Sequence, residues 1–528
     1  MAPKDTAAVS EADLPLTTLA KSDTIPWYHK AKLRWLYVVL FFCCYAAEWA
    51  SGMDSAVMNS IQALPAWKAF FDNPEMGALG LLTSMYSLGA ICATPFIPWM
   101  SQRYGRRATM RISSVVLCGG AVMQAFSTNT SMFLASRWLL GFGIPFSLVN
   151  SSALLAELAH PNDRPTLTSL FNATWSVGAI LAAAVTYAAA NISGNWSWRL
   201  PSLLQIVPSV LQLIFLQFCP ESPRWLTSKD RHGEAWGIMM KYHSEGTNGK
   251  EFARIEHAQI ASTLAEEQRL KSPFIFGDIF RDAPMRKRFG IAAVVGFFTQ
   301  WSGNALISFY TPVILNAIGI TDGTTQQLII LGWTCWGLVV AAPMSAVVPR
   351  FGRRTMFLCC TTGATLVYIV WTVSCATAMS EKTLAAAIPV LVAMFLYTPA
   401  YSIGWGTLTY TYISELFPYH QRSQGLAMTQ ITSRFALFLN LYVNPIAISK
   451  IGWKYFLVYC VWITIETITV YFFFPETQGK TLEELSFMWE DDEVRDRVRR
   501  RFEYRFAIPL RELGPIKEAS EEDTEETV

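Results

Sequence analysis

The sequence RYGRR at residues 103–107 recurs 247 residues later as RFGRR at residues 350–354. Two further pairs of strings repeat at almost the same offset: ELAHPNDR at 157–164 with ELFPYHQR at 415–422, and PESP at 220–223 with PET at 475–477. Because three unrelated strings repeat together, we infer an internal duplication. The chain is therefore predicted to contain two halves with the same topology.

The formal charges of the 528-residue chain are concentrated in three segments. Residues 1–34, 220–290 and 476–528 hold 56 of the 82 charges, so the other 370 residues are only 7% charged. Soluble domains carry about 25% charged residues, because their surface faces water. This distribution excludes a soluble enzyme, and a net charge of +2 leaves no basic face for nucleic acid. It predicts two membrane-embedded halves separated by a polar segment.

We predict twelve transmembrane helices, because a helix needs about 20 apolar residues to cross a bilayer and its backbone must be paired within the segment. The predicted spans are 35–54, 79–100, 108–126, 131–152, 166–190, 199–219, 290–317, 326–347, 355–377, 385–412, 424–446 and 453–474. The fold class is thus an all-α membrane protein of two six-helix halves. Its predicted parts are an N-terminal segment 1–34, a half 35–219, a helical linker 220–289, a half 290–474 and a tail 475–528.

The short loops carry their arginines on one side of the membrane. By the positive-inside rule, this side, both termini and the linker are cytoplasmic. The three Asn-X-Ser sequons at Asn129, Asn191 and Asn195 all fall on the opposite side, where glycosylation is expected. We expect no cleaved signal peptide before the first span. The ten cysteines lie in or beside apolar segments without metal-ligand spacing, so we expect neither a metal nor a cofactor.

Several strings resemble the sugar-porter family of the major facilitator superfamily over residues 35–490. The most specific are PESPRWL at 220–226, PETQGKTLEEL at 475–485 and SELFPYHQR at 414–422. A narrower resemblance, to the fungal branch with lactose and cellodextrin permeases, rests on ELAHP at 157–161, QWSGNALISFY at 300–310 and NLYVNPIA at 440–447. The resemblance implies a central site between two halves that rock to expose it to either side.

The chain departs from the family pattern at several positions. Gln102 and Pro349 stand where the family has Asp before each arginine-rich loop, which puts the usual helix-end contacts in doubt. Asn172, Thr299 and Tyr410 replace family residues in the fifth, seventh and tenth spans. Glucose-type contacts are therefore not carried over as a set.

The repeated Arg and Glu residues lie where spans meet the cytoplasm. Ion pairs there could tie the halves together when the cytoplasmic side closes, and break when it opens. Alternatively, the arginines only anchor the loops to anionic lipid. The predicted gating residues are Arg103, Arg107, Glu157, Arg164, Glu221, Arg350, Arg354, Glu415, Arg422 and Glu476.

Ionisable residues inside a span are costly and need a reason. By resemblance, Asp54 and Arg137 match the Asp and Arg of proton-coupled sugar porters. A carboxylate beside Arg⁺ holds its charge, and moving the Arg away lets it accept a proton. The alternatives are a static pair that braces the fold, or Glu48 as the proton site. For Arg434 and Glu466, structural pairing or snorkelling near the membrane interface is favoured over a functional role.

A sugar site needs amides and hydroxyls for the ring hydroxyls, and aromatic faces for the C–H patches. Tyr397, Tyr401, Trp405 and Thr409 lie four residues apart and share a helix face, although such a stripe is more often packing. Unpaired amides in lipid are costly, which favours the amides as ligands. The predicted sugar-binding residues are Asn172, Gln300, Asn304, Tyr310, Trp405, Tyr410 and Asn440.

These observations predict a monomeric plasma-membrane transporter that imports a mono- or disaccharide by proton symport, with the sugar, protons and the lipid bilayer as its partners. A proton-independent facilitator and a non-transporting sugar sensor remain as alternatives. A membrane enzyme would need carboxylate clusters at a membrane face, which the loops lack.

Overall fold

The computed structural model describes residues 25–245, 249–270, 283–347, 351–381, 383–417 and 422–478. These residues form helices and connecting turns, without a β-strand among them. The predicted tail beyond residue 478, most of the N-terminal segment and Arg350 lie outside the described residues.

Six helical spans form the first half. Span 1 comprises Ala31–Cys43 and Tyr45–Ile61, span 2 Met76–Ala93 and Phe96–Tyr104, span 3 Arg106–Ala125, span 4 Thr130–Leu158, span 5 Arg164–Ala173 and Trp175–Ala189, and span 6 Trp196–Leu204 and Ile206–Phe215. A short helix, Pro65–Phe70, follows span 1. The linker contains the helices Pro223–Ser228, His232–Tyr242 and Gly249–Leu270.

Six further spans form the second half. Span 7 comprises Ala283–Trp301 and Asn304–Ala317, span 8 Gly323–Val347, span 9 Arg353–Glu381, span 10 Leu384–Tyr401, the π-helical turn Ser402–Gly406 and Thr407–Leu416, span 11 Arg422–Ile451, and span 12 Lys454–Phe473. In the described part of the chain, nine spans are long and apolar enough to cross a membrane, namely all except spans 3, 5 and 8. Span 3 begins with Arg106, Arg107 and Arg111, and span 5 is interrupted at Thr174.

Span 1 differs from its predicted bounds at both ends. Its helix begins at Ala31 and continues to Ile61, whereas the prediction ended the span at Asp54. Asp54 is therefore inside the helix, seven residues before its end. A carboxylate can lie there because it has a buried cationic partner, described below.

The pairing of helices repeats between the halves. Spans 1 and 5, 3 and 4, and 3 and 6 pack together in the first half, as spans 7 and 11, 9 and 10, and 9 and 12 do in the second. Small residues allow the closest approach: a side chain at Gly52 would collide with the Trp175 carbonyl, and one at Gly178 with the Trp49 carbonyl. The two halves meet through spans 2 and 11, spans 5 and 8, and spans 1 and 7.

Candidate functional site

A buried ion pair joins span 1 to span 4 inside the first half. Arg137 Nη1 donates to Asp54 Oδ1, and the Arg137 side chain is fully buried. The guanidinium carbon also lies 5.2 Å from the centroid of the Tyr86 ring in span 2. The structure thus brings together the two residues predicted for proton coupling. The pair is neutral as a unit, and protonation of Asp54 would leave the Arg137 charge without its counterion.

Glu48, the rival proton site, lies in the same helix and is partly buried. The Arg434 guanidinium of span 11 acts electrostatically on this carboxyl across the interface between the halves. Glu48 therefore faces a charge from the opposite half, whereas Asp54 is paired within its own half.

Span 7 is broken between Trp301 and Asn304. Gly303 has a φ of +96°, which favours glycine, and a side chain there would collide with the Tyr368 hydroxyl. Hydroxyl groups bind the freed carbonyls: Tyr368 donates to Gly303 O at 3.2 Å and Tyr397 donates to Ser302 O at 2.9 Å. The break sets the directions of the side chains on either side of it.

A buried carboxyl lies behind this break. Ser302 Oγ donates to Glu466 Oε2 of span 12 at 2.7 Å, and both residues are almost completely buried. The sequence favoured structural pairing for Glu466 but did not identify its partner. Ser302 lies within the predicted sugar-binding stretch of span 7, so Glu466 supports that stretch from the neighbouring span 12.

The predicted sugar-binding amides of span 7 lie beside this break and remain partly exposed. Gln300 Nε2 donates to Ser433 Oγ at 3.0 Å, and Asn304 Oδ1 accepts a long bond of 3.5 Å from Ser308. Trp301 Nε1 donates to the Ala436 carbonyl at 2.9 Å. Gln300 and Asn304 thus keep hydrogen-bonding capacity and a partly exposed surface.

Three other predicted sugar-binding residues are buried and contact other residues of the second half. Both polar atoms of the buried Asn440 are engaged, with Nδ2 donating to Gln300 O at 2.5 Å and Oδ1 accepting from Tyr459 at 2.9 Å. Tyr310 is buried and donates to Leu441 O at 2.5 Å. Trp405 is 3% exposed and packs in an aromatic cluster, with its ring centroid 4.8 Å from that of Phe357. In this conformation these side chains stabilise the second half, and a role in sugar binding stays a prediction.

The remaining two candidates lie on different helices. Tyr410 is 47% exposed, and its hydroxyl accepts from Gln430 Nε2 at 2.6 Å. Asn172 lies in the helix Arg164–Ala173, and its side chain is outside the described residues.

Hydrogen bonds join the two halves at the end of the bundle that carries the sequons, which we call the sequon end. Asn59 Oδ1 accepts from the Thr311 backbone N–H at 3.2 Å, and Gln62 Nε2 donates to Phe309 O at 2.9 Å. Gln327 Nε2 of span 8 donates to Ser60 O at 2.6 Å. The sequence pattern did not mark these residues as functional. They close the sequon end between spans 1, 7 and 8.

At the opposite end, which we call the arginine-rich end, ion pairs form within each half. Arg106 contacts Glu157 through Nε–Oε2 at 3.2 Å and Nη2–Oε1 at 3.0 Å. Arg353 contacts Glu415 in the same way, at 3.3 and 3.0 Å. The sequence predicted Glu157 and Glu415 but not Arg106 and Arg353 as their partners. Between described residues at this end, the Arg–Glu pairs do not cross from one half to the other.

Two further glutamates bind the backbone at the start of spans 3 and 9. Glu221 accepts from the N–H groups of Arg106 and Arg107, and Glu476 accepts from those of Arg353 and Arg354. A carboxylate at a helix N-terminus is favoured by the helix dipole. Burial raises the pKa of Glu221, and the backbone hydrogen bonds from Ser222, Arg107 and Arg106 oppose this rise.

The other predicted gating arginines have separate contacts. Arg107 donates to Leu216 O at 3.0 Å, Arg354 donates to Tyr471 O, and Arg164 lies 4.0 Å from Glu256 of the linker. Arg103 lies over the Tyr104 ring. Arg350 and the Arg422 side chain are outside the described residues.

The linker docks on the arginine-rich end of the first half through a buried His–Glu pair. His243 Nδ1 and Glu256 Oε2 are 2.7 Å apart, and His243 Nε2 lies 3.2 Å from Leu158 O of span 4. His160 of the ELAHP string stacks on Phe252 of the linker at 4.8 Å. This part of the string therefore forms a docking surface for the linker helices.

The three sequon asparagines are exposed at the sequon end. Asn129 also caps span 4, where its Oδ1 accepts from the Met132 N–H at 2.8 Å. Its Nδ2, the atom that carries a glycan, is not used by this cap.

Comparisons with known proteins agree with this arrangement. A family model described as "Sugar (and other) transporter" matches residues 40–489. The high-affinity glucose transporter of Kluyveromyces lactis is 27% identical over 480 residues, which cover 87% of this chain and 85% of the relative. Sugar transport protein 1 of Arabidopsis thaliana is 26% identical over 482 residues, covering 85% and 90% of the two chains.

A solved structure shares the fold. The inward-open conformation of the xylose transporter XylE from E. coli matches with a TM-score of 0.72 at 23% identity, over 86% of this chain and 100% of that chain. The same protein, described as a proton:xylose symporter bound to 6-bromo-6-deoxy-D-glucose, matches with a TM-score of 0.70 at 21% identity. The likeness confirms the predicted all-α fold of two six-helix halves.

Proposed function

Because this chain belongs to the sugar transporter family, we propose that it imports a mono- or disaccharide across the plasma membrane by proton symport. Membership follows from the family match over residues 40–489, and the chain is a transporter and not an enzyme. The observation that carries the proton-coupled proposal is the buried Asp54–Arg137 pair.

The coupling follows from the charge of this pair. With Asp54 ionised, the pair is neutral and holds span 1 against span 4. With Asp54 protonated, the Arg137 charge has lost its counterion. The packing of span 1 against span 4 is then less favourable in free energy. Proton binding is thereby linked to a movement of span 1, which also carries the Asn59 and Gln62 contacts to span 7.

We assign the arginine-rich end and both termini to the cytoplasm, following the positive-inside rule. The halves are hydrogen-bonded at the sequon end, and the ion pairs of the arginine-rich end stay within each half. This arrangement fits an inward-facing state. In the outward-facing state the contacts of Asn59, Gln62 and Gln327 would break, which makes them the outer gate of the proposal.

The sugar site is proposed between the halves, beside the break in span 7. Gln300 and Asn304 are the strongest candidates because they remain partly exposed there, and Tyr410 offers an aromatic face. The Kluyveromyces lactis relative is named a glucose transporter, whereas the strings ELAHP and NLYVNPIA favour the disaccharide branch. Both substrate classes therefore belong in the test.

The decisive experiment is uptake in a yeast strain that lacks its own sugar transporters. Lactose, cellobiose, glucose, galactose and xylose are tested with and without a protonophore. We expect one of these sugars to accumulate against its gradient, and the protonophore to abolish this accumulation. Asp54→Asn should equilibrate the sugar without concentrating it, and an Asn variant that still concentrates sugar refutes the coupling role of Asp54.

The competing functions give different results in the same assay. A facilitator equilibrates sugar with or without the protonophore, and a sensor moves no sugar even when purified into liposomes.

We further propose that the chain acts as a monomer, and that it is glycosylated at Asn129, Asn191 and Asn195. A mobility shift on glycosidase treatment, lost in the Asn→Gln variants, tests the last point.

A further inference from the structure

One face of span 6 presents three neutral polar side chains to the interior of the first half. Gln205, Ser209 and Gln212 are spaced by four and three residues and so share a helix face. Each is at most 5% exposed. The main contacts of span 6 are with helices of the first half, so this face lies away from the interface between the halves.

The lower part of this face is a closed hydrogen-bond cluster. Gln212 Oε1 accepts from Ser114 at 2.7 Å and from Ser147 at 2.8 Å. Gln212 Nε2 donates to Cys43 O at 2.8 Å and to Ser151 Oγ at 3.2 Å. Both polar atoms of this amide are satisfied by protein groups, so the cluster seals the interior toward the arginine-rich end.

The upper part of the face is different. A cavity of about 10 Å³ lies between spans 1, 2, 3, 4 and 6, and its polar lining comes from Asp54, Tyr86, Gln205 and Ser209. Within the part of the chain that the structure describes, Asp54 Oδ2, both amide atoms of Gln205 and Ser209 Oγ have no protein partner. Leaving buried polar atoms without partners is costly, and a cavity of roughly 10–15 Å³ holds one water molecule.

We propose that Gln205 and Ser209 hold a water molecule against Asp54 Oδ2, and that this water sets how readily Asp54 accepts the transported proton. A water that donates to the carboxylate stabilises its charged form, in addition to the bond from Arg137 on Oδ1. Gln205 and Ser209 are thus positioning residues that act on Asp54 through the water.

The other groups around Asp54 are few. Arg137 of span 4 and Tyr86 of span 2 face it, and Tyr310 of span 7 lies near Arg137. Span 6 contributes only neutral groups, and span 3 contributes Leu117 to the cavity. The water and the Tyr86 hydroxyl are therefore the uncharged donors available to Asp54, and removing the water changes no charge.

The test rests on the proposed symport but includes a readout that does not depend on it. The protonation of Asp54 is followed by infrared difference spectroscopy of the purified full-length protein, using the carboxyl band that Asp54→Asn removes. Gln205→Leu preserves volume but removes the amide, and Ser209→Ala removes the hydroxyl. Ser202→Ala is the matched control, because Ser202 is a buried serine of the same helix that bonds only to Trp198 O, outside the cavity lining.

We expect the midpoint of the Asp54 band to rise by about one pH unit in Gln205→Leu, because one hydrogen bond to the charged form is lost. Ser209→Ala should shift it in the same direction, and Ser202→Ala should not. The alkaline limb of the pH profile of uptake should shift in parallel, while sugar counterflow is retained.

Unchanged midpoints in both variants, with the control unchanged, overturn the proposal. If Gln205→Leu does not fold, Ser209→Ala alone decides. A midpoint shift combined with protonophore-insensitive uptake in the wild type would refute the symport and leave the water site standing.

Discussion

Ser302 of span 7 donates a hydrogen bond of 2.7 Å to the buried Glu466 of span 12. This contact holds the break of span 7 against span 12, whose main contacts are with span 9 of the same half. The positions of Gln300 and Asn304, on either side of the break, therefore depend on a buried carboxyl group of another helix.

We predict that Glu466→Leu weakens transport more than Glu466→Gln. Leucine removes the carboxyl acceptor and leaves the Ser302 hydroxyl only the Phe298 carbonyl of its own helix, at a cost of about 1.5–3 kcal/mol for a hydrogen bond to a charged group, whereas glutamine keeps an acceptor oxygen. The expected result is a KM raised about tenfold or more for Glu466→Leu, since 1.4 kcal/mol is a factor of ten, and a near-normal KM for Glu466→Gln. Equal effects of the two variants would show that the charge, and not the hydrogen bond, is required.

The Asp54–Arg137 pair should be costly to break from one side only. Arg137→Met leaves a buried carboxylate, and we expect a loss of about 3–5 kcal/mol of stability, as for other broken buried pairs. The double variant Asp54→Leu, Arg137→Met should recover most of that loss, because no charge remains unpaired. Thermal unfolding of the detergent-solubilised protein measures both, and a double variant no more stable than Arg137→Met contradicts the prediction.

Arg106 contacts both oxygen atoms of the Glu157 carboxylate. Lysine cannot make two parallel hydrogen bonds, so Arg106→Lys should be destabilising although it keeps the charge. A double-mutant cycle of Arg106→Ala with Glu157→Ala should give a coupling free energy of about 0.5–3 kcal/mol, the usual range for such networks. The equivalent cycle for Arg353 and Glu415 should agree within error, and Arg103→Ala, whose side chain is exposed, provides the control.

Docking of the linker should depend on pH. Burial alone lowers the pKa of His243, but the charge and hydrogen bond of Glu256 outweigh it and raise the pKa above 6.5. Burial raises the pKa of Glu256, and the opposing charge and hydrogen bond of His243 bring it below 4.5. The His243 contribution is complete below pH 6.5 and is lost as pH rises through its raised pKa, whereas that of Glu256 is complete above pH 4.5 and is lost on acidification.

The linker is therefore held most firmly between about pH 4.5 and 6.5. Hydrogen exchange of the helix Gly249–Leu270 should accelerate as the pH rises above this window, after correction for the intrinsic exchange rate. His243→Gln should remove this dependence, and His232→Gln, at a more exposed histidine, should leave it intact. A dependence that persists in His243→Gln would assign it to another group.

The sequence predicted the duplication and the polar linker, because charge and repetition can be read along the chain, and the resemblance to sugar porters implied the Asp54–Arg137 pair. It did not predict which arginine of each loop meets the glutamate. Gly105, with a φ of +87°, ends one helix and lets the next begin at Arg106. The direction of each side chain follows from that turn, which the composition of the loop does not determine.

The predicted sugar-binding residues show the same limit. The spacing of four residues placed Tyr397 and Trp405 on one helix face, but the π-helical turn Ser402–Gly406 interrupts this regular spacing. Asn440 is an amide inside a span, as a ligand would be, yet its partners are Gln300 and Tyr459. Only the packing of three helices decides whether a buried amide is available to a sugar.

Glu221 and Glu476 each follow the last span of their half. Their carboxylates bind the backbone at the start of the third span of the same half. Each half thus has its own contact of this kind, made by residues before 246 in the first half and after 282 in the second. We therefore predict that the two halves assemble even when the chain is cut within residues 246–282. The two resulting polypeptides, produced together in one cell, should associate into an active transporter.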